Sequence, residues 1–126
     1  MDRSGCEIVR RYNKPWLARD LAAMDGFLGE DLILWHNHLG RAFGKAEMLS
    51  FVTSALEVLE KVEFRDAVRT ATAEGCVQQH RLFCRMVGGG IVDAPQAIVY
   101  TVRDGKIRRI DEYVDGPALA ATGMAG

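Results

Sequence analysis

Two polar residues near the ends of apolar segments have side chains that could do chemistry. His36 ends the segment Leu32-Ile-Leu-Trp-His36, and Glu112 is one of three acids near the end of the last β-patterned segment. Alternation along the first segment places His36 on the face of Leu32 and Leu34. A histidine with a pKa of about 6.5 that faces a carboxylate can act as base, acid or water activator near neutral pH. Burial of Glu112 would raise its pKa, and the two residues could then divide the acid and base roles.

The direction of Glu112 depends on the hairpin that precedes it. Asp104-Gly105 separates two segments with the pattern of β-strands, which is the strongest short hairpin signal in a sequence. In one phase of the final strand Glu112 faces the interior. In the other phase it pairs with Arg108 or Arg109 at the surface, and the apolar residues of the strand fit both phases.

Further polar candidates lie on a predicted strand over residues 77–87. Gln78, His80 and Leu82 share one face of this strand, and the opposite face carries arginines, so the first face is expected to point inward. His80 could line a site or be satisfied by Gln78 or a buried water. Tyr12, on an amphipathic helix predicted over 7–17, fits a core or rim position as readily as a catalytic one.

A metal site is the weaker alternative for the histidines. His36 and His38 are spaced as an i, i+2 pair, but a third ligand such as Glu112 or His80 would be needed. His36 could also be a core histidine bonded to a backbone carbonyl. The expectation is a site without a metal or any other cofactor.

The elements that must position these residues follow from hydrophobic periodicity. Helices are predicted over 7–17, after Asp20 and over 45–61, with a strand over 31–38 between the last two, and four consecutive strands then follow. The order αα-β-α-ββββ predicts a cystatin-like α+β fold, in which a curved, mixed but mostly antiparallel sheet wraps around the helices as a cone. Where sheet and helices diverge, such a cone leaves an apolar pocket. We expect the pocket to be lined by Trp16, Leu34, Phe51, Gln78, Leu82, Gln96, Ile98 and Tyr100.

Composition limits the partners and the location. The chain has 126 residues and is expected to form one domain over 1–126 with a frayed tail from about 118. Its net charge of −1, with acids and bases interleaved, argues against a nucleic-acid partner. No apolar run reaches the roughly 18 residues of a membrane span, so a cytoplasmic protein without a membrane partner is predicted. Three cysteines without metal-ligand spacing predict reduced, buried thiols.

The outer face of the sheet indicates a second partner besides a small hydrophobic organic ligand. Val77, Phe83 and Val99 lie among polar residues on the face that points away from the helices. Exposed apolar area of this kind predicts a homodimer through the sheet.

Short motifs in a fixed order carry a resemblance over almost the whole chain. They are Ile8-Val-Arg-Arg-Tyr12, Ala18-Arg-Asp-Leu21, Gly29-Glu-Asp-Leu32, Leu34-Trp-His-Asn37, Gly44-Lys-Ala-Glu47 and Asp104-Gly-Lys-Ile-Arg-Arg-Ile-Asp-Glu-Tyr-Val-Asp115. In these motifs the chain resembles the nuclear transport factor 2-like superfamily, and within it the SnoaL-like polyketide cyclases, ketosteroid isomerases and limonene epoxide hydrolases. The resemblance implies the cone fold, whereas the function stays open because the superfamily supports many chemistries and non-catalytic members.

The resemblance to ketosteroid isomerases implies roles for two residues. It places Tyr12 where those enzymes keep the tyrosine that hydrogen-bonds the substrate oxygen, and His36 where they keep the carboxylate base. The second acid of their oxyanion hole falls near Ile98, which cannot donate a hydrogen bond. The isomerase site is therefore incomplete in this chain.

The resemblance to epoxide hydrolases is also partial. It places Glu112 at the position of a catalytic aspartate of those enzymes and His36 at the position of their water-holding asparagine. The positions of their arginine and second aspartate fall near His80 and Leu82. The remaining set of two histidines, a tyrosine and a carboxylate is similar in composition to scytalone dehydratase pockets.

Two hypotheses from different classes follow. The first is a cofactor-free acid/base enzyme of the isomerase, dehydratase, cyclase or hydrolase type, with His36 as base, Glu112 as its partner or the acid, and Tyr12 and His80 as hydrogen-bonding groups. The second is a ligand-binding or dimerisation module that moves no proton. Whether His36 and a carboxylate meet at an open cavity discriminates between them.

Overall fold

Helices and strands fall into separate groups along the chain, and the last four strands follow one another. A computed structural model describes residues 2–120. Its elements are α1 (Ser4–Ala18), α2 (Leu21–Phe27), β1 (Leu28–His36), β2 (Arg41–Gly44), α3 (Lys45–Val58), β3 (Leu59–Ala71), β4 (Gly75–Met86), β5 (Ile91–Arg103), β6 (Lys106–Val114) and α4 (Gly116–Ala120).

The six strands form one sheet in the order β2-β1-β6-β5-β4-β3. β1 and β6 run parallel, and every other neighbouring pair is antiparallel. The sheet is open and curved, with α1 packed across β3, β4 and β5 and α3 against β1 and β2. The predicted α+β cone with a mixed, mostly antiparallel sheet is confirmed.

Helix α1 buries one face because its apolar and small residues recur every three or four positions. This buried face includes Gly5, Cys6, Val9, Tyr12 and Asn13. The next helix begins as predicted, since the Asp20 side chain accepts a hydrogen bond from the Ala23 amide at 3.1 Å. The face of α1 that carries Tyr12 therefore points into the sheet.

Bulges in β3 and β6 change the expected alternation. In β3 the register with β4 shifts between Arg65 and Val68, and Asp66 has a φ of 56°. In β6 the register with β5 skips Arg108. An extra residue in one strand reverses the faces beyond it. Arg69 consequently shares the inner face with its partner Gln78, and Ile107 and Ile110 both point inward although they are three residues apart.

The element boundaries differ from the sequence prediction in several places. α3 ends at Val58 rather than at residue 61, because Leu59 already has extended backbone and starts β3. Leu59 is buried in either conformation, so the apolar spacing could not mark the end of the helix. α2 passes directly into β1 at Leu28, and the short edge strand β2 was not predicted at all.

The prediction of three reduced cysteines was wrong for two of them. Cys6 at the start of α1 and Cys76 at the start of β4 form a disulfide, with their Cα atoms 5.0 Å apart, while Cys84 is free and buried. Gly5 and Gly75 allow this close approach, because a Cβ on Gly5 would lie 3.0 Å from the backbone of Gly75. Spacing along the chain gives no sign that residues 70 positions apart meet.

None of the helices within residues 2–120 has the length and apolar character needed to cross a membrane. The frayed tail predicted from 118 lies mostly outside the described residues, and its first residues, up to Ala120, belong to α4.

Candidate functional site

A cavity of about 80 Å³ lies between two separate parts of the hydrophobic core. The larger part joins α1, α2 and α3 to the sheet, and the smaller part lies between the far ends of β3, β4, β5 and β6. Residues from both parts meet at the cavity. It is lined by Tyr12, Trp16, His36, Leu59, Val62, Phe64, Leu82, Cys84, Gln96, Ile98, Tyr100 and Glu112.

His36 and Glu112 face each other across the parallel strand pair β1 and β6. The two residues are direct register partners, and His36 Nε2 lies 3.5 Å from Glu112 Oε2. The side chain of Asn37 fixes this register, since its Nδ2 donates to the Val114 carbonyl at 3.0 Å and its Oδ1 accepts from the Val114 amide at 3.1 Å. Glu112 thus occupies the inward phase of the final strand.

Burial changes the pKa of Glu112. Its carboxyl lies against the apolar lining and has no arginine or lysine partner among residues 2–120, and the loss of water raises its pKa from 4.5 to about 7. About a fifth of the side chain, 21%, remains accessible. Near neutral pH this carboxyl can therefore both take up and release a proton.

His36 is neutral at the same pH and has a defined tautomer. Burial first, and the nearby His38 second, lower its pKa from 6.5 to about 4. The backbone amide of His38 donates to His36 Nδ1 at 3.1 Å, so the single ring proton of the neutral imidazole lies on Nε2. That proton points toward Glu112, at a distance that a small movement would shorten to a hydrogen bond.

Tyr12 brings an unused hydroxyl to the cavity. Its side chain is 2% exposed, and its hydroxyl oxygen is the single buried side-chain polar atom within residues 2–120 without a hydrogen-bond partner. Burial raises the pKa of Tyr12 well above its ordinary value, so the hydroxyl keeps its proton. Buried hydroxyls are nearly always paired, so this one is available to a bound molecule.

Eight of the twelve residues predicted for the site line this cavity. They are Tyr12, Trp16, His36, Leu82, Gln96, Ile98, Tyr100 and Glu112. The other four lie elsewhere. Leu34 is packed in the larger part of the core, and Phe51 lies on α3 beside Phe43, because α3 covers the β1 and β2 end of the sheet. Gln78 and His80 point inward but lie behind the cavity lining in a chain of buried hydrogen bonds.

Four lining residues were not predicted. Leu59 was hidden by its assignment to the preceding helix, and Val62 and Phe64 belong to the first half of β3. Cys84 could have been found, because it lies two residues after Leu82 on the same face of β4. In the described part of the chain, no group of three or more histidine, cysteine or acidic side chains is placed to hold a metal ion.

Comparison with known proteins agrees with this architecture. Similar solved structures include a candidate polyketide cyclase from Pseudomonas putida KT2440, with a TM-score of 0.83 and 21% identity over 94% of this chain and 96% of that one. A candidate polyketide cyclase from Xanthomonas campestris pv. campestris has a TM-score of 0.81 and 24% identity over 98% and 97%. A candidate isomerase from Bacillus subtilis has a TM-score of 0.84 and 14% identity over 100% and 98%.

At these identities the solved structures establish the fold alone. No curated protein matches the chain. The family profile described as a SnoaL-like domain matches residues 9–110, which is most of the chain and includes every strand up to the middle of β6. A fold of this type suggests small-molecule binding. Because this profile matches most of its length, the chain belongs to the SnoaL-like domain family.

Proposed function

We propose that this protein binds a small, largely hydrophobic organic molecule in the cavity and moves a proton on it without a cofactor. One observation carries the proposal. The Glu112 carboxyl, the His36 ring and the unpaired Tyr12 hydroxyl converge on one apolar cavity. Such a reaction belongs to the isomerase, dehydratase, cyclase or hydrolase type.

The tautomer of His36 assigns the roles. Neutral His36 presents an N–H and not a lone pair toward Glu112, so it serves as a hydrogen-bond donor and not as the base expected from the sequence. Glu112, with a pKa of about 7, is the general base and then returns the proton as the acid. Tyr12 donates to an oxygen of the bound molecule and stabilises negative charge that develops there.

The size of the cavity limits what it can enclose. Its volume of about 80 Å³ compares with about 150 Å³ for a dry protein cavity that holds benzene and about 30 Å³ for one water molecule in the liquid. The cavity therefore encloses the reacting end of a substrate, while any larger part extends past the lining residues. Binding without proton transfer is the second candidate, because Ile98, which cannot donate a hydrogen bond, lines the cavity near the position where ketosteroid isomerases keep a second acid.

Deuterium incorporation into carbon acids tests the proposal without a known substrate. Small ketones and esters are incubated with the protein in D₂O, and exchange at the carbon next to the carbonyl is followed by proton NMR. Wild-type protein should accelerate the exchange of at least one compound, and Glu112→Gln should reduce that rate by a factor of roughly 10² to 10⁴.

The matched control is Asp111→Asn, one position earlier on β6. Asp111 is paired with Arg109, so its replacement should leave the exchange rate unchanged. Equal rates for wild type and Glu112→Gln would rule out Glu112 as the base. Saturable binding with no exchange for any compound would instead identify a binding module.

A further inference from the structure

A chain of buried side-chain hydrogen bonds connects Arg69 to the cavity. Arg69 Nε donates to Gln78 Oε1 at 2.9 Å, and Gln78 Nε2 lies 2.9 Å from His80 Nδ1. His80 Nε2 in turn lies 2.6 Å from Gln96 Oε1. Asn13 adds a bond from its Nδ2 to Gln78 Oε1 at 2.6 Å. Of these residues, only Gln96 lines the cavity.

Arg69 alone fixes the direction of this chain. Asparagine, glutamine and neutral histidine can reverse their donor and acceptor atoms, whereas arginine only donates. Because Arg69 donates to Gln78 Oε1, the Gln78 amide nitrogen must donate to His80 Nδ1. His80 then carries its proton on Nε2 and donates to Gln96 Oε1.

This direction determines what Gln96 offers to a ligand. Its oxygen is occupied by His80, while none of the hydrogen bonds described for residues 2–120 uses its Nε2 as donor. Because Gln96 lines the cavity, its free N–H is the hydrogen-bonding group that this residue can offer to a ligand there. If the hydrogen bonds ran in the opposite direction, Gln96 would present its oxygen instead and would favour a ligand that donates.

The β3 bulge is the reason that Arg69 can play this part. The register shift after Arg65 reverses the faces of the strand, which places Arg69 opposite Gln78 on the inner side. Arg69 itself lies in a groove beside Arg3, Glu7 and Arg10, outside the cavity. Burial also lowers the pKa of His80, which keeps the ring neutral and able to accept from Gln78.

We infer that Arg69 is a specificity-determining residue outside the cavity, which sets the hydrogen-bond direction through Gln78 and His80 so that Gln96 selects ligands with an acceptor oxygen. The inference rests on the proposed function only in that a ligand occupies the cavity. It predicts preference for a carbonyl compound over a molecule of the same shape without an acceptor.

Two probes of matched shape test the selection. Cyclopentanone carries an acceptor oxygen, and methylenecyclopentane replaces it by a CH₂ group. Binding is measured by NMR titration to wild type, Arg69→Met and Arg69→Lys, since lysine, like arginine, can only donate. Wild type and Arg69→Lys should prefer the ketone by roughly tenfold. Arg69→Met should keep only the part of this preference that the Tyr12 hydroxyl supplies, while its affinity for methylenecyclopentane stays the same.

A second measurement needs no ligand. Nitrogen-15 shifts of the His80 ring report which nitrogen carries the proton, expected to be Nε2 in wild type and a mixture of both tautomers in Arg69→Met. A wild-type proton on Nδ1, or an unchanged ketone preference in Arg69→Met, would overturn the inference. If neither probe binds wild type, the His80 tautomers alone decide whether Arg69 sets the direction, and the deuterium exchange described above decides the proposed function separately.

Discussion

Burial acts in opposite directions on the two titratable residues that face each other at the cavity. Glu112 has a pKa of about 7 in the folded protein and an ordinary pKa of 4.5. Between pH 4.5 and 7 unfolding therefore releases its proton, and the free energy of unfolding falls as the pH rises. His36 has a pKa of about 4 in the fold and 6.5 as its ordinary value, so unfolding takes up a proton and stability rises with pH over that window. Between about pH 4.5 and 6.5 the two effects oppose each other.

Replacement of Glu112 should expose the contribution of His36. We expect the free energy of unfolding of Glu112→Gln to rise by about 2 to 3 kcal/mol relative to that of wild type when the pH is raised from 5 to 8. The reason is that glutamine has no proton to lose. The free energy of unfolding, measured by urea titration at both pH values, checks this. A wild-type pH profile in Glu112→Gln would show that burial does not raise the pKa of Glu112.

At the scale of elements, Asn37 extends the β1–β6 pairing by one residue beyond His36. Its side-chain amide bonds both the N–H and the C=O of Val114, as a backbone partner would. We expect Asn37→Ala to cost about 1 to 3 kcal/mol in the free energy of unfolding, because it leaves backbone groups of a part-buried strand unpaired.

Amide hydrogen exchange at Val114 separates this role from a general loss of stability. Asn37→Asp keeps the oxygen that accepts from the Val114 N–H, so this amide should stay protected, whereas Asn37→Ala should expose it. Equal protection of Val114 in both variants would contradict the role of Asn37.

The Cys6–Cys76 disulfide joins the helix that carries Tyr12 to the strand that carries Gln78. Because the disulfide closes a loop with a sequence separation of 70, its reduction should lower the free energy of unfolding by about 4 kcal/mol through the added chain entropy of the unfolded state. Thermal unfolding with and without a reductant measures the loss, and Cys84→Ser should show the same difference as wild type. An unfolding temperature unaffected by reductant would mean that the two thiols are not bonded.

The cytoplasmic location of the protein stays a prediction.

The strands β4 and β6 differ in how far the sequence predicts the direction of their side chains. In β4, Arg81 and Arg85 mark the outer face, so strict alternation correctly placed Gln78 and His80 inward. In β6 the bulge at Arg108 places Ile107 and Ile110 on one face despite their odd spacing, so no alternation pattern could settle the direction of Glu112. Bulges depend on the pairing of neighbouring strands, which local composition does not encode.

At the scale of the whole molecule, the outer face of the sheet is the expected dimer surface. Trp35 packs on Tyr113 with ring centroids 5.3 Å apart, and Ile33 and Tyr113 are 41% and 46% exposed. The predicted residues Val77, Phe83 and Val99 are half-buried on the same face. This apolar area is what supports the proposed homodimer.

Light scattering coupled to gel filtration tests the dimer. We expect wild type to elute as a dimer at micromolar concentration and Tyr113→Arg to elute as a monomer, because a charge in an apolar interface lacks a partner. Val87→Lys, at an exposed position in the turn after β4, is the matched control and should remain dimeric. A monomeric wild type would refute the proposal.

The position of the cavity between two parts of the core has a consequence for finding the ligand. A molecule that fills this gap would join the two parts and would bind the folded protein alone, so the melting temperature rises with its concentration. At one hundred times its dissociation constant such a molecule adds about 2.7 kcal/mol to the stability. A thermal-shift screen of small oxygen-containing hydrophobic compounds can therefore identify ligands before any reaction is known.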